Sequence, residues 1–195
     1  MVSLLPWNSP KKTDGNVTYS PPTKGFSVSI PTIYKYNNNK RTGEQGLAEE
    51  LVAYDVKTKN TYGVMHYTYH DYNYLEEDTF ELNILCNSTL KNFKYNANIT
   101  REITREQNLP CINFSGTNND LNKTMYAKLF IKGVHYYFVY SMVNGSNPKP
   151  TDYLNSFKII DFKHLNELKE ITDNDFAFTV IDEIVPEDRN QLQDA

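Results

Sequence analysis

Alternation of apolar and polar residues first appears in "FSVSIP", where Phe26, Val28 and Ile30 are separated by serines and Pro31 ends the run. A period of two marks a strand with one face buried, and proline stops it because it has no N–H to give to a ladder. The following "YNNNKRTGEQG" has no period and reads as a loop. Beyond it, "AEELVAYDV" and "TYGVMHYTY" flank the polar "KTKN", which predicts a β-hairpin. The period then changes. Leu82, Leu85, Cys86, Thr89, Leu90 and Phe93 fall at i, i+3, i+4, i+7, i+8 and i+11, one stripe of an α-helix. That spacing predicts a helix over residues 78–93 lying on a sheet, with Asp78 as N-cap and Glu81 completing a capping box.

Two strands follow, "ITREITREQ" with Ile103 turned inward and "PCINFSGT". Then "MYAKLFI" and "VHYYFVYSMV" surround a tight turn expected at Lys132-Gly133, where glycine supplies positive φ. Strand alternation sends His135, Tyr137 and Val139 one way and Tyr136, Phe138 and Tyr140 the other. Both faces are therefore covered, which predicts a central strand. Pro150 and Thr151 open a short helix carrying Tyr153, Leu154 and Phe157, residues 163–171 read as a helix, and "FAFTVIDEIV" as a last strand. Residues 1–24 contain Pro6, Pro10, Pro21 and Pro22 and read as an extended arm outside the core. The organisation expected is an arm (1–24), an α+β domain (25–162) and an extension with an acidic tail (163–195). Strands joined by tight turns favour an antiparallel sheet, which the amphipathic helices should flank.

Composition narrows the function classes. The 195 residues carry a formal net charge of −4, which argues against sequence-independent nucleic-acid binding. No apolar run approaches the ~18 residues needed to span a bilayer. "MVSLLPWNSPKK" has its lysines after a brief apolar segment, the reverse of a signal peptide. The chain is either intracellular, or exported with its leader removed. Leu4, Leu5 and Trp7 nonetheless form an apolar cluster that should dock on this domain, on another protein or on a membrane surface. Cys86 and Cys111 lie in no CxxC and read as two buried thiols, a disulfide being the alternative in an oxidising compartment. Asn-x-Ser/Thr sequons at Asn16, Asn87, Asn98, Asn113, Asn122 and Asn144 read as incidental in so asparagine-rich a chain.

Chemistry is most concentrated in "HYTYHDYNY", which holds His66, His70, Asp71 and four tyrosines. In a helix, His66 and His70 would share a metal. In a strand they lie ~13 Å apart at ~3.3 Å per residue, so a metal would need ligands from a neighbouring strand. The reading is a strand, with His66, Thr68 and His70 as a half-solvated stripe and Met65, Tyr67 and Tyr69 packed. No cofactor or metal site is expected. A catalytic His135 would need a nucleophile and an orienting carboxylate, and no GxSxG accompanies it. Glu76, Glu77 and Asp78 read as a helix start, without the ligand spacing and glycine of an EF-hand. Neither GxxxxGK[ST] nor GxGxxG occurs.

"GFSVSIP", "LFIKGVHYYFVYSMV" and "DYLNSFKI" together resemble the PsbP-like superfamily, which includes Mog-type Ran-GTPase release factors; the likeness is greatest to its uncharacterised bacterial members. It spans roughly Gly25 to Phe162. The resemblance implies an α/β/α sandwich around a twisted antiparallel sheet, and relatives that mostly hold a protein partner or stabilise an assembly. It carries over no catalytic residue. The expectation is a non-enzymatic accessory or binding protein, with Trp7, Tyr67, Tyr69, Tyr72 and Tyr74 as partner-binding candidates, since tyrosine brings large area and a polar tip to interfaces. The competing class is a small-ligand-binding or hydrolytic domain, which a deep pocket holding a His–carboxylate pair would favour.

Overall fold

The computed structural model describes residues 17–21, 23–31, 34–40, 45–69, 78–145, 147–160, 168–172 and 177–181. Its centre is a seven-stranded sheet built from β3 (Tyr34–Lys40), β4 (Gln45–Tyr54), β5 (Thr61–Tyr69), β6 (Ala97–Glu106), β7 (Leu109–Asn118), β8 (Lys123–Lys132) and β9 (His135–Asn144). The spatial order is β3-β4-β5-β9-β8-β7-β6, and every neighbouring pair is antiparallel. Chain order explains it. The chain leaves β5, crosses one face as helix α1 (Asp78–Asn92), and starts a meander at the far edge that returns until β9 pairs with β5. On the opposite face lie a small sheet of β1 (Val17–Tyr19), β2 (Phe26–Ile30) and β10 (Lys158–Ile159), and helix α2 (Thr151–Ser156). The fold is α+β with a mostly antiparallel sheet, as the pattern predicted.

Alternation divides the core into two. Leu82, Cys86 and Leu90 of α1 pack on Ile112, Phe114, Leu129, Tyr136, Phe138 and Tyr140. On the other side Phe26, Val28, Ile30, Tyr153, Leu154 and Phe157 cover Leu51, Val64, Cys111, Phe130, Tyr137 and Val139. The two faces of β9 are as expected. Gly63 is required where it stands, because a Cβ there would lie 2.2 Å from Cζ of Tyr140, whose ring packs over β5. Cys86 and Cys111 are free, buried, and in clusters on opposite faces, so the sheet itself keeps them from pairing.

Several local expectations give way to tertiary context. Residues 36–40, expected as loop, belong to edge strand β3, which runs in register with β4. Ile103 is not inward: it is 46% exposed, because edge strand β6 has no neighbour beyond it among the described residues. The turn joining β8 to β9 is Gly133-Val134, one residue later than expected, since Lys132 pairs with His135. Positive φ at Gly133 but not at Val134 fits a type II′ hairpin. Within residues 163–171, a strand replaces the expected helix: β11 (Leu168–Thr172) pairs with β12 (Ala177–Ile181). Residues 17–24, assigned to the arm, enter the core through β1, with Tyr19 and Thr23 buried. On α1, Leu82, Cys86 and Leu90 are buried and Leu85 packs at the margin, whereas Phe93 lies past the last turn and is exposed. The side chain of Asp78, the expected cap, lies outside the described residues, and Glu81 accepts a 2.6 Å bond from the Tyr136 hydroxyl.

Candidate functional site

The hairpin of β4 and β5 places Glu49 directly opposite His66, and the β5–β9 pairing places His66 opposite Tyr137 and Thr68 opposite His135. All of these side chains point toward the β1–β2 layer, and they form a chain of polar contacts through the core. Thr23, in the loop between β1 and β2, donates its hydroxyl to both carboxylate oxygens of Glu49, at 2.9 and 2.7 Å. His66 Nδ1 lies 2.9 Å from Glu49 Oε2. Its other nitrogen, Nε2, lies 3.2 Å from Nδ1 of His135. Glu49 is 1% and His66 0% exposed, while His135 is half-buried. The Tyr137 ring stacks on His66 at 4.5 Å and 7°, and Phe26 meets His66 edge-on at 6.3 Å.

Chemically, a carboxylate facing one imidazole nitrogen is the arrangement that orients both catalytic and metal-bound histidines. Here the far nitrogen meets another histidine rather than substrate space. The condition set by sequence, a ligand for His66 from a neighbouring strand, is met halfway by His135. No cluster of three or more His, Cys, Asp or Glu suited to a metal occurs among the described residues. Burial, then the charge of Glu49, raises the Tyr137 hydroxyl well above the ordinary phenol range, so it stays protonated.

A second polar group lies on the same face nearer the β6 edge. Lys128 donates to Glu106 Oε2 at 2.6 Å and to Asn155 Oδ1 at 3.1 Å, and Asn113 donates to Glu106 Oε1 at 3.0 Å. Burial pushes the Glu106 carboxyl upward, but bonds from Lys128 and Asn113 and the charges of Lys128 and Lys149 outweigh it and leave it lowered. Beside this group is an open cleft of about 430 Å3, lined by Thr100, Glu102, Asn113, Ser115, Tyr126 and Lys149 among others. Neither this cleft nor a smaller one of about 280 Å3 next to α2 reaches His66.

The predicted site residues fare unequally. His66 and Thr68, expected half-solvated, are buried, while Met65 and Tyr67 on the other face are only partly so. The reversal comes from the β1–β2–β10 layer covering the histidine face, which no local pattern encodes. Tyr67 stacks on Tyr136 at 5.3 Å and 7° and packs against the α1 cluster. Trp7, His70, Tyr72 and Tyr74 and the side chain of Tyr69 lie outside the described residues. Glu49 was missed altogether, although aligning the hairpin arms outward from Tyr54 and Thr61 puts Glu49 against His66. On the outer side of α1, Phe80 and Ile84 are each 52% exposed.

These features define an α+β domain with a two-sided sheet and a largely buried polar chain running through one of its cores. No protein-family model and no curated protein matches the chain. Among solved structures it is similar to the solution structure of cyanobacterial PsbP (CyanoP) from Synechocystis sp. PCC 6803, at 9% identity and a TM-score of 0.49, over 80% of this chain and 99% of that one.

Proposed function

We propose that this protein is a non-enzymatic accessory or binding domain that holds a protein partner on the α1 side of its sheet. The observation that carries the reading is the pair Phe80 and Ile84, both 52% exposed at i, i+4 on the outer face of a helix whose inner face is already buried. Side chains at that spacing stand next to each other, and large apolar groups exposed together favour a partner. Tyr67 and its stacked neighbour Tyr136 lie on the same side of the sheet, and Tyr136 bonds to Glu81 beside Phe80. Tyr69, Tyr72 and Tyr74, which precede this helix in the chain, and Trp7 remain candidates for contact with the partner. The PsbP-like resemblance, in its Mog-type and bacterial members, is in keeping with an accessory role.

The hydrolytic alternative loses its main support, since the His–carboxylate pair is enclosed and no described cleft opens onto it. A Phe80→Asp/Ile84→Asp protein tests the proposal. It should keep the melting temperature of the wild type while losing the partner that, without these two substitutions, cross-links to a photoreactive residue placed at exposed position 88. Equal cross-linking in the two proteins would remove the α1 surface from consideration.

A further inference from the structure

We propose that edge strand β6 is the docking site of this chain's own C-terminal hairpin, with β11 adding antiparallel to β6 and continuing the central sheet. This edge is separate from the Phe80–Ile84 pair on α1. In the structure the hairpin of β11 and β12 stands as a two-stranded sheet of its own, and β6 ends the seven-stranded sheet. An edge strand turns every second N–H and C=O away from its neighbour, and that row is a template for another strand. On β6 the side chains are open as well, with Thr100, Arg101, Glu102, Ile103 and Arg105 all exposed.

The charges of β6 bar a second copy of the same strand. A two-fold axis normal to the sheet keeps each face on its own side, so it pairs odd residues with odd and even with even. Beyond the bulge at Ala97–Thr100, every such register opposes like charges. Centred on Arg101, Glu102, Arg105 or Glu106, it sets that residue against its own copy. Centred on Ile103 it sets Arg101 against Arg105, and on Thr104 it sets Glu102 against Glu106. Like charges directly opposite are destabilising.

β11 carries the complementary pattern. With Leu168 opposite Ile103, Lys169 falls opposite Glu102 and Glu170 opposite Arg101. Among the described residues Glu102 has no ion pair, and Arg101 donates to the neutral Asn87 amide oxygen at 2.9 Å. Sliding β11 four residues toward Glu106 also opposes unlike charges. That register needs Glu106, which Lys128 and Asn113 already hold, and it brings Asp173 onto Glu102. Connectivity favours the same direction. The Ile159 N–H donates to Gln107 Oε1 at 2.9 Å and Gln107 Nε2 to the Phe157 carbonyl at 3.1 Å, so the chain leaves β10 at the β6–β7 turn. A strand entering there runs from the Glu106 end of β6 toward Ala97, which is antiparallel. The stretch from Ile160 to Leu168 can span about 26–29 Å, and the step from Glu106 to Ile103 needs only about 10 Å.

Amide hydrogen exchange on the full chain reads the contact. The β6 amides that face away from β7 should be protected, and should exchange several-fold faster in Lys169→Glu, which sets a like charge against Glu102. Adding Glu102→Lys to that variant should restore the protection. Equal exchange in the wild type and Lys169→Glu would overturn the proposal. Oxidation of an Ile103→Cys/Leu168→Cys protein reads the register and the occupant, and should give a disulfide within one monomer. A disulfide-linked dimer would assign the edge to a second copy and refute docking of the chain's own hairpin. Failure to form either disulfide would refute the register.

Discussion

The two cysteines show how burial, more than sequence context, decides residue chemistry here. Burial, followed by the charge of Glu106, pushes the Cys111 thiol up to about 12, and burial raises Cys86 against the opposing charge of Arg101. Thiolate is the reactive form, so both should resist modification at pH 8. Titration with a thiol reagent should find well under one equivalent in the native protein and 2 after denaturation. Rapid native reaction of either cysteine would contradict its enclosed position. Glu106 gives the opposite case, a carboxyl lowered on balance by Lys128 and Asn113. A carboxylate with a lowered folded pKa stabilises the fold above its unfolded value, about 4.3, and that contribution is lost as pH falls through the lower folded value. The Glu106→Gln protein should therefore show a shallower loss of stability between pH 7 and pH 3, measured by urea midpoint. An unchanged acid limb would show that the Lys128–Glu106 bond contributes nothing net.

At the scale of elements, α1 is the clearest test of what periodicity can tell. The stripe of Leu82, Cys86 and Leu90 is buried as the 3.6 period requires, while Phe80 and Ile84 fall outside it. Leu82→Ala should cost about 2–5 kcal/mol in chemical denaturation, and Ile84→Ala less than about 0.5 kcal/mol. Similar losses at both positions would mean that the helix packs on a different face. Strands with strong alternation or continuous apolar character, β2, β5, β7, β8 and β9, were legible because their own residues carry the burial pattern. β3 was not, because "YKYNNNK" has almost no apolar signal and is strand only through its pairing with β4. For residues 163–171, propensity alone favoured a helix, and the pairing of β11 with β12 prevailed. Both misses are cases of a partner strand deciding what local sequence leaves open.

For the whole molecule, the parts that escaped the sequence are those assembled from distant segments. The chain Thr23–Glu49–His66–His135 joins a loop and three strands, and its members are far apart in sequence except across the β4–β5 hairpin. The β1–β2 layer that encloses it likewise depends on Val17 to Tyr19, which proline content had assigned to an arm. That layer makes the N-terminal boundary a sharp question. Tyr19 and Thr23 are buried with Phe26, Val28 and Ile30, and Thr23 provides the hydroxyl that both oxygens of Glu49 share. Removing residues 1–24 would strip a strand from β2, open the cluster at Tyr19 and leave Glu49 short of a donor in a site with almost no solvent. A buried carboxylate deprived of a hydrogen bond costs on the order of 1–3 kcal/mol, before the loss of apolar area is counted. Removing residues 1–16 leaves β1 and Thr23 in the chain. Chemical denaturation of the two truncations should therefore show the longer deletion to be less stable than the shorter one by about 1–3 kcal/mol or more. If both truncations unfolded at the same denaturant concentration as the full chain, β1 would be an accessory strand and the β1–β2 layer would not be what encloses Glu49 and His66.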